Sequence, residues 1–149
     1  MAEKWLQPGI WMGSPESGEA GGSGNDEIFN EFEFMQRNMH DEKLCRDVIA
    51  LYIVSASGSL ALLQRALATG DAKEVRQLAH SLKGASATIS APAMSRLAAE
   101  LEVAGKNGDL GHSGLLLLRL NDEFERLKSV LEKGRWYQRH PAPENKSAG

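Results

Sequence analysis

Helical hydrophobic periodicity constrains the fold of this 149-residue chain more than any other feature of the sequence. Between residues 27 and 133, apolar side chains recur at intervals of three and four residues. No segment alternates between apolar and polar residues as a β-strand would. One such apolar stripe consists of Val75, Leu78, Leu82, Ala85 and Ile89. The pattern therefore predicts an all-α domain over residues 27–133.

Capping and breaking residues divide this segment into helices. Thr69-Gly70 is typical of a helix end, and Asp71 followed three residues later by Glu74 resembles a capping box. Pro92 suits the first turn of the next helix, and Asn107-Gly108 stops that helix. The pattern predicts about six helices, of which the first is short. Because short connections favour antiparallel neighbours, we expect an up-and-down four-helix bundle with one or more additional short N-terminal helices.

The composition of both ends differs from that of the helical domain. Within residues 1–26, the part nearest the domain is rich in Gly, Ser, Pro and acidic residues. This composition is typical of a flexible tail or linker. Trp5 and Trp11 precede this linker and belong either to a docking peptide or to the end of a neighbouring domain. Residues 134–149 contain two prolines and are interpreted as a second flexible tail.

Charge and residue usage exclude several classes of function. A net charge of −3 gives no support to nucleic-acid binding, which needs a strongly basic domain. The single cysteine, Cys45, allows neither an internal disulfide nor a cysteine-based zinc site, and its apolar surroundings suggest a core residue. No apolar run is long enough for a signal peptide or a membrane span, so we expect a cytoplasmic protein. His40, His112 and His140 lack a metal-ligand spacing and are interpreted as surface residues.

The segment "AHSLKGASATIS", residues 79–90, contains the strongest candidate for chemistry. His80 lies two residues from both Leu78 and Leu82, so it points away from the apolar stripe of its helix. The exposed line through His80, at spacings of three and four, consists of Lys73, Arg76, Lys83 and then Gly84 or Ala87.

Neither the cations nor the glycine on this line helps the helix to form. Like charges at these spacings repel slightly, and a mid-helix glycine such as Gly84 costs about 1 kcal/mol relative to alanine. Gly84 and the small residues after it leave an open approach to His80. An exposed imidazole with Lys83 one turn away suits phosphoryl transfer, in which catalysis consists mostly of positioning and charge neutralisation. No glycine-rich nucleotide loop occurs, so we do not expect phosphorylation from ATP.

The segment "LAHSLKGASATIS" resembles the phosphorylation motif of histidine-containing phosphotransfer (HPt) domains of bacterial multistep phosphorelays, which is His-x-x-Lys-Gly followed by small residues. The similarity covers about Phe29–Leu131 and includes "ALATGDAKEVRQLAHSLKG" and "LAAELEVAGKNGDL". It implies a phosphotransfer intermediate without kinase activity of its own. His80 would accept a phosphoryl group from a receiver-domain aspartate and pass it to another receiver aspartate.

The resemblance also implies roles for the residues around His80. Lys83 would stabilise the phosphoryl group, and Gly84 would leave room for it. In several family members a Gln on the following helix, 22 residues after the histidine, hydrogen-bonds the imidazole; Glu102 occupies that position here. A glutamate can accept from Nδ1–H, keep Nε2 free and support positive charge on the ring. The alternative interpretation of Glu102 is a solvated surface acid.

The implied partners are receiver domains, free-standing or within a hybrid sensor histidine kinase. Their aspartate clusters hold Mg²⁺, so we expect neither a metal nor another cofactor in this chain. The basic line suits an acidic partner, and we expect a monomer that binds neither nucleic acid nor membrane. The predicted docking face consists of Lys73, Arg76, Gln77, Ala87 and Lys106.

Two other classes of protein fit a helical bundle with an exposed histidine. The dimerisation and phosphoacceptor domain of a histidine kinase usually has an acid directly after the histidine and a proline a few residues later. Here Ser81 follows His80, and no proline occurs between His80 and Pro92. A helical adaptor or scaffold without phosphoryl chemistry is the second alternative, and it would never receive phosphate from a receiver.

Overall fold

The computed structural model describes residues 28–134 and the backbone of residues 6–7 and 9–10. The described part of the domain contains five helices, so the all-α prediction is confirmed. Leu6–Gln7 (β1) and Gly9–Ile10 (β2) are strands of two residues each that pair in parallel. The predictions for the rest of residues 1–26 and for residues 135–149 lie outside the described residues. The helices are α1 (Glu31–Arg37), α2 (Glu42–Ala68), α3 (Ala72–Thr88), α4 (Pro92–Lys106) and α5 (Leu110–Glu132).

The helix boundaries agree with the capping signals in the sequence. The Asp71 side chain accepts a hydrogen bond from the Glu74 backbone N–H at 3.1 Å, and Pro92 occupies the first turn of α4. Gly70 and Gly108 follow the ends of α2 and α4 with φ of +72° and +73°. Glycine adopts this left-handed conformation without steric cost, so each helix ends sharply and the next begins within a few residues.

The predicted number of about six helices is wrong for the described residues, because residues 44–67 lie in one continuous helix. The small residues of "SASGS", 55–59, do not interrupt α2, which is 27 residues long. By length and composition alone α2 could cross a membrane. One face of α2 is buried in the bundle, whereas its apolar residues Leu51 and Val54 are exposed. The buried residues of α2 are Cys45, Ile49, Tyr52, Ala56, Leu60, Leu63 and Ala66.

Four helices form a ring in which α2 and α4 each contact both α3 and α5. The short helix α1 lies at one end of α3. There the Asn30 backbone N–H donates to the Ser90 carbonyl at 2.8 Å, and the Arg37 guanidinium donates to the Ala87 carbonyl at 2.8 Å. The Ala87 carbonyl also accepts from the Ser90 backbone N–H at 3.0 Å, so Arg37 adds a second hydrogen bond at the end of α3. The largest fully buried side chains include Leu63, Leu82, Leu101, Leu116, Leu120 and Leu127.

Two close contacts fix α3 between its neighbours. The Tyr52 hydroxyl of α2 and the buried Ser86 hydroxyl of α3 are 2.7 Å apart, and burial raises the pKa of Tyr52 to about 12. On the other side, Gly105 of α4 lies so close to α3 that an added Cβ would be 2.8 Å from the Arg76 backbone nitrogen. These contacts set the rotation of α3 in the bundle and therefore the direction of its outer face.

Candidate functional site

His80 lies on the outer face of α3, with 65% of its side chain exposed. Its neighbours Ala79 and Leu82 are buried, with relative exposures of 0% and 1%. The helical period alone therefore placed His80 correctly. An imidazole in this position can be reached by another protein.

His80, Lys83 and Glu102 form a compact cluster across α3 and α4. His80 Nδ1 lies 2.9 Å from Glu102 Oε2, and Lys83 Nζ lies 2.8 Å from Glu102 Oε1. An ionised carboxylate has no proton to donate, so Nδ1–H is the donor to Glu102. This bond holds the neutral ring in the tautomer whose Nε2 carries a free electron pair. Nε2 is therefore the nucleophilic atom of the ring.

The charge of Glu102 follows from its two partners. The hydrogen bond from Lys83 lowers the pKa of Glu102 below its ordinary value of 4.5. Partial desolvation opposes this shift, and the His80 bond adds to it. Glu102 is therefore a carboxylate at neutral pH, and it balances one cation while it orients the imidazole.

The backbone beside His80 is tied to α4 but open to solvent. The Ser95 hydroxyl of α4 donates to the Lys83 carbonyl at 3.2 Å. A Cβ added at Gly84 would meet nothing within 4 Å outside its own turn of helix. Packing within the described residues therefore gives no reason for a glycine at this position. Gly84 leaves the helix surface beside His80 without a protruding side chain.

All five residues of the predicted docking face are exposed. Arg76 and Lys106 lie close together, because Gly105 packs against the Arg76 backbone. Ala87 lies seven residues beyond His80, about 10 Å along α3 towards the opposite end. The structure thus places the basic residues mainly at one end of the face and small residues at the other.

Sequence reasoning missed the ion pair between Lys83 and Glu102. No pattern in a single sequence indicates which residues of two neighbouring helices face each other at side-chain resolution. The structure also places other groups of interest away from the cluster. His40 and His112 are exposed, Cys45 is buried, and His140 lies outside the described residues. Within residues 28–134, no three His, Cys, Asp or Glu side chains are grouped to hold a metal ion.

Comparison with known proteins places this bundle in a defined family. Residues 47–130 match the family profile of the Hpt domain, and this match covers more than half of the chain. The chain therefore belongs to the Hpt domain family. It is a histidine phosphotransfer domain of phosphorelay signalling, in a family of phosphotransfer intermediates rather than kinases, and its partners are receiver domains.

Solved structures share the fold. Histidine-containing phosphotransfer protein B (HptB) from Pseudomonas aeruginosa PAO1 is 24% identical with a TM-score of 0.70, over 76% of this chain and 96% of that chain. The HPT domain of the Hpt sensor hybrid histidine kinase from Shewanella is 22% identical with a TM-score of 0.65, over 78% of this chain and 99% of that chain. No curated protein sequence matches the chain.

Proposed function

We propose that His80 is the phosphoacceptor of this domain. The observation that carries this proposal is the bond from His80 Nδ1 to Glu102 Oε2 at 2.9 Å on an exposed side chain. In the neutral ring, the bond to Glu102 keeps the proton on Nδ1 and leaves the electron pair on Nε2. Of the other histidines in residues 28–134, neither His40 nor His112 has a carboxylate bonded to its ring.

Phosphoryl transfer at His80 conserves atoms and charge. Nε2 attacks the phosphorus of a receiver aspartyl phosphate, the Nε2–P bond forms, and the O–P bond to the aspartate breaks. The aspartate leaves as a carboxylate with the electron pair of that bond. The ring keeps Nδ1–H and becomes positively charged, and Glu102 stabilises that charge. Attack by the carboxylate of a second receiver reverses these changes and restores the neutral ring.

Lys83 and Gly84 serve the phosphoryl group. Lys83 lies one turn from His80, and its ammonium turns from Glu102 towards the phosphoryl oxygens when the group arrives. Gly84 leaves space for the receiver to approach the helix. Mg²⁺ held by receiver aspartates neutralises further charge in the complex, so the chain itself uses no metal or other cofactor.

The remaining parts of the proposal concern the partner and the setting. The exposed cations Lys73, Arg76 and Lys106 attract the acidic surface of a receiver, and Gln77 and Ala87 lie within the same docking face. The domain works as a cytoplasmic monomer, without nucleic acid or membrane as a partner. It phosphorylates nothing from ATP and passes on the phosphoryl groups that receivers supply.

Replacement of His80 by Gln tests the phosphoacceptor. We expect His80→Gln to abolish labelling by a ³²P-labelled receiver domain while helicity and Tm remain those of the wild-type protein. His112→Gln is the matched control, because it removes another exposed helical histidine. Acid lability of the wild-type label identifies it as phosphohistidine. Labelling of His80→Gln at the wild-type rate would place the acceptor elsewhere in the chain.

A further inference from the structure

A hollow of about 450 Å³ opens beside the phosphoacceptor cluster, between the second half of α3 and the first half of α4. We name it the α3–α4 hollow. Its apolar lining includes Ala87, Ala91, Pro92 and Ala99, and the charged Glu33 and Arg96 also border it. Asn30, Ser90 and Ser95 complete the lining, so the hollow is mainly apolar in surface, with polar side chains and one charge of each sign at its border.

The hollow is continuous with the surface around His80. Ala87 lies one turn beyond Lys83 on α3, and Ala99 lies three residues before Glu102 on α4. Ser95, which also lines the hollow, donates its hydroxyl to the Lys83 carbonyl at 3.2 Å. Between His80 and the hollow, the outer line of α3 carries Lys83 and the two small residues Gly84 and Ala87. Because Gly84 and Ala87 are small, a partner that contacts His80 can also reach the hollow.

A receiver domain that takes a phosphoryl group from His80 covers this region. A stable protein interface buries about 800 Å² on each partner, which corresponds to a roughly circular patch of about 16 Å radius. Ala87 lies about 10 Å from His80 along the helix axis, so the hollow falls inside a patch centred on His80. An apolar hollow left empty inside an interface loses packing contacts, whereas a filled one is a typical site of strong binding.

We infer that the α3–α4 hollow receives an apolar side chain of the receiver domain and that this contact selects among receivers. The inference rests on the proposed function of His80. Glu33 and Arg96 border the hollow, so the inserted side chain has charged groups around its entrance. Glu33 is held in place by Arg37 at a distance of 2.9 Å.

A substitution that fills the hollow with a larger side chain of this chain tests the inference. Ala99→Leu places a larger apolar side chain on its wall, and leucine is nearly as good a helix former as alanine. From a panel of purified receiver domains carrying ³²P-labelled aspartyl phosphate, the receiver with the fastest transfer to the wild-type chain is used. We expect Ala99→Leu to slow this transfer at least 10-fold and to leave Tm unchanged.

A small-molecule phosphodonor distinguishes an effect on receiver docking from an effect on the phosphorylation reaction itself. Phosphoramidate needs no docking surface: its P–N bond breaks as the Nε2–P bond forms, and the amine leaves as ammonia with a proton from solvent. We expect wild-type protein and Ala99→Leu to be labelled equally by phosphoramidate. If His80 is not the acceptor, His80→Gln is labelled as fast as the wild-type protein, whatever the result for Ala99→Leu.

Ala61→Leu is the matched control for added bulk. Ala61 is an exposed alanine within α2 and lines a groove between α2 and α5, on the side of the ring opposite to α3 and α4. We expect wild-type rates with both donors for Ala61→Leu. A wild-type receiver rate for Ala99→Leu overturns the inference. Equal slowing of Ala99→Leu with receiver and phosphoramidate also overturns it, because the substitution then damages the acceptor cluster itself.

Discussion

At His80 a single carboxylate serves two purposes. Glu102 accepts from the imidazole with one oxygen and from Lys83 with the other, at 2.9 Å and 2.8 Å. A neutral amide in the same place could accept with its oxygen but would not attract the ammonium of Lys83. The glutamate therefore couples the orientation of the His80 imidazole to the position of the nearest cation.

The lowered pKa of Glu102 predicts a pH-dependent contribution to stability. A carboxyl group whose pKa is lower in the folded protein stabilises the fold above its ordinary pKa, 4.5 here, and loses that contribution as the pH falls through the lowered value. We therefore expect the wild-type protein to melt at a higher temperature than Glu102→Gln at about pH 7. The difference should become smaller as the pH falls from about 7 to about 3, in melts followed by circular dichroism.

The matched control for this experiment is Glu100→Gln. Glu100 is exposed on the same helix, and within the described residues no hydrogen bond or ion pair of its side chain is seen. Its replacement should change Tm little at either pH. A gap between wild type and Glu102→Gln that is the same at about pH 7 and pH 3 would contradict the assigned role of the carboxylate charge.

At the scale of helices, two glycines in α3 and α4 have different physical roles. Gly105 allows close contact between α4 and the α3 backbone, whereas Gly84 faces open space. The sequence singled out Gly84 because it interrupts a helical pattern beside a histidine. Gly105 attracted no notice, because a close approach between two helices is visible only when their packing is known.

These roles predict opposite effects of the same substitution. We expect Gly105→Ala to lower the free energy of unfolding by about 1–3 kcal/mol, because the new methyl group would clash with backbone that cannot move aside. Gly84→Ala should raise it by about 0.5–1 kcal/mol, because alanine favours the helix. Urea unfolding measures both. Transfer from a receiver should be slower for Gly84→Ala, and unchanged transfer would show that the glycine is not needed for approach.

At the scale of the whole molecule, the fold was largely predictable from the sequence and the site only in part. The apolar period and the capping residues Asp71 and Gly70 specify helices through local interactions, and local interactions can be counted along a sequence. His80 was placed on the outer face by the same period. The Lys83–Glu102 pair and the α3–α4 hollow depend on the packing of α4 against α3, which no local pattern encodes. The number of helices was wrong, because small residues in α2 weaken a helix without ending it.

The mass in solution tests the proposed monomer. We expect the chain to sediment as a single species of 16.2 kDa, its monomer mass, before and after labelling by phosphoramidate. The physical reason is that α3 presents a charged outer face and buries its apolar stripe within its own ring of helices. Sedimentation equilibrium at several concentrations checks this prediction. A species of twice the mass would overturn the proposed monomer.

With His80 as the proposed phosphoacceptor, its exposure also limits how long a phosphorylated domain holds the phosphoryl group. No cleft encloses the imidazole in the described structure, because 65% of its side chain is open to solvent. Enzymes that protect reactive intermediates do so by excluding water, and a convex helix surface offers no such protection. Bulk water therefore competes with every receiver for the phosphoryl group. The phosphorylated domain therefore has a finite lifetime, and the phosphoryl group is lost unless the next receiver binds before hydrolysis.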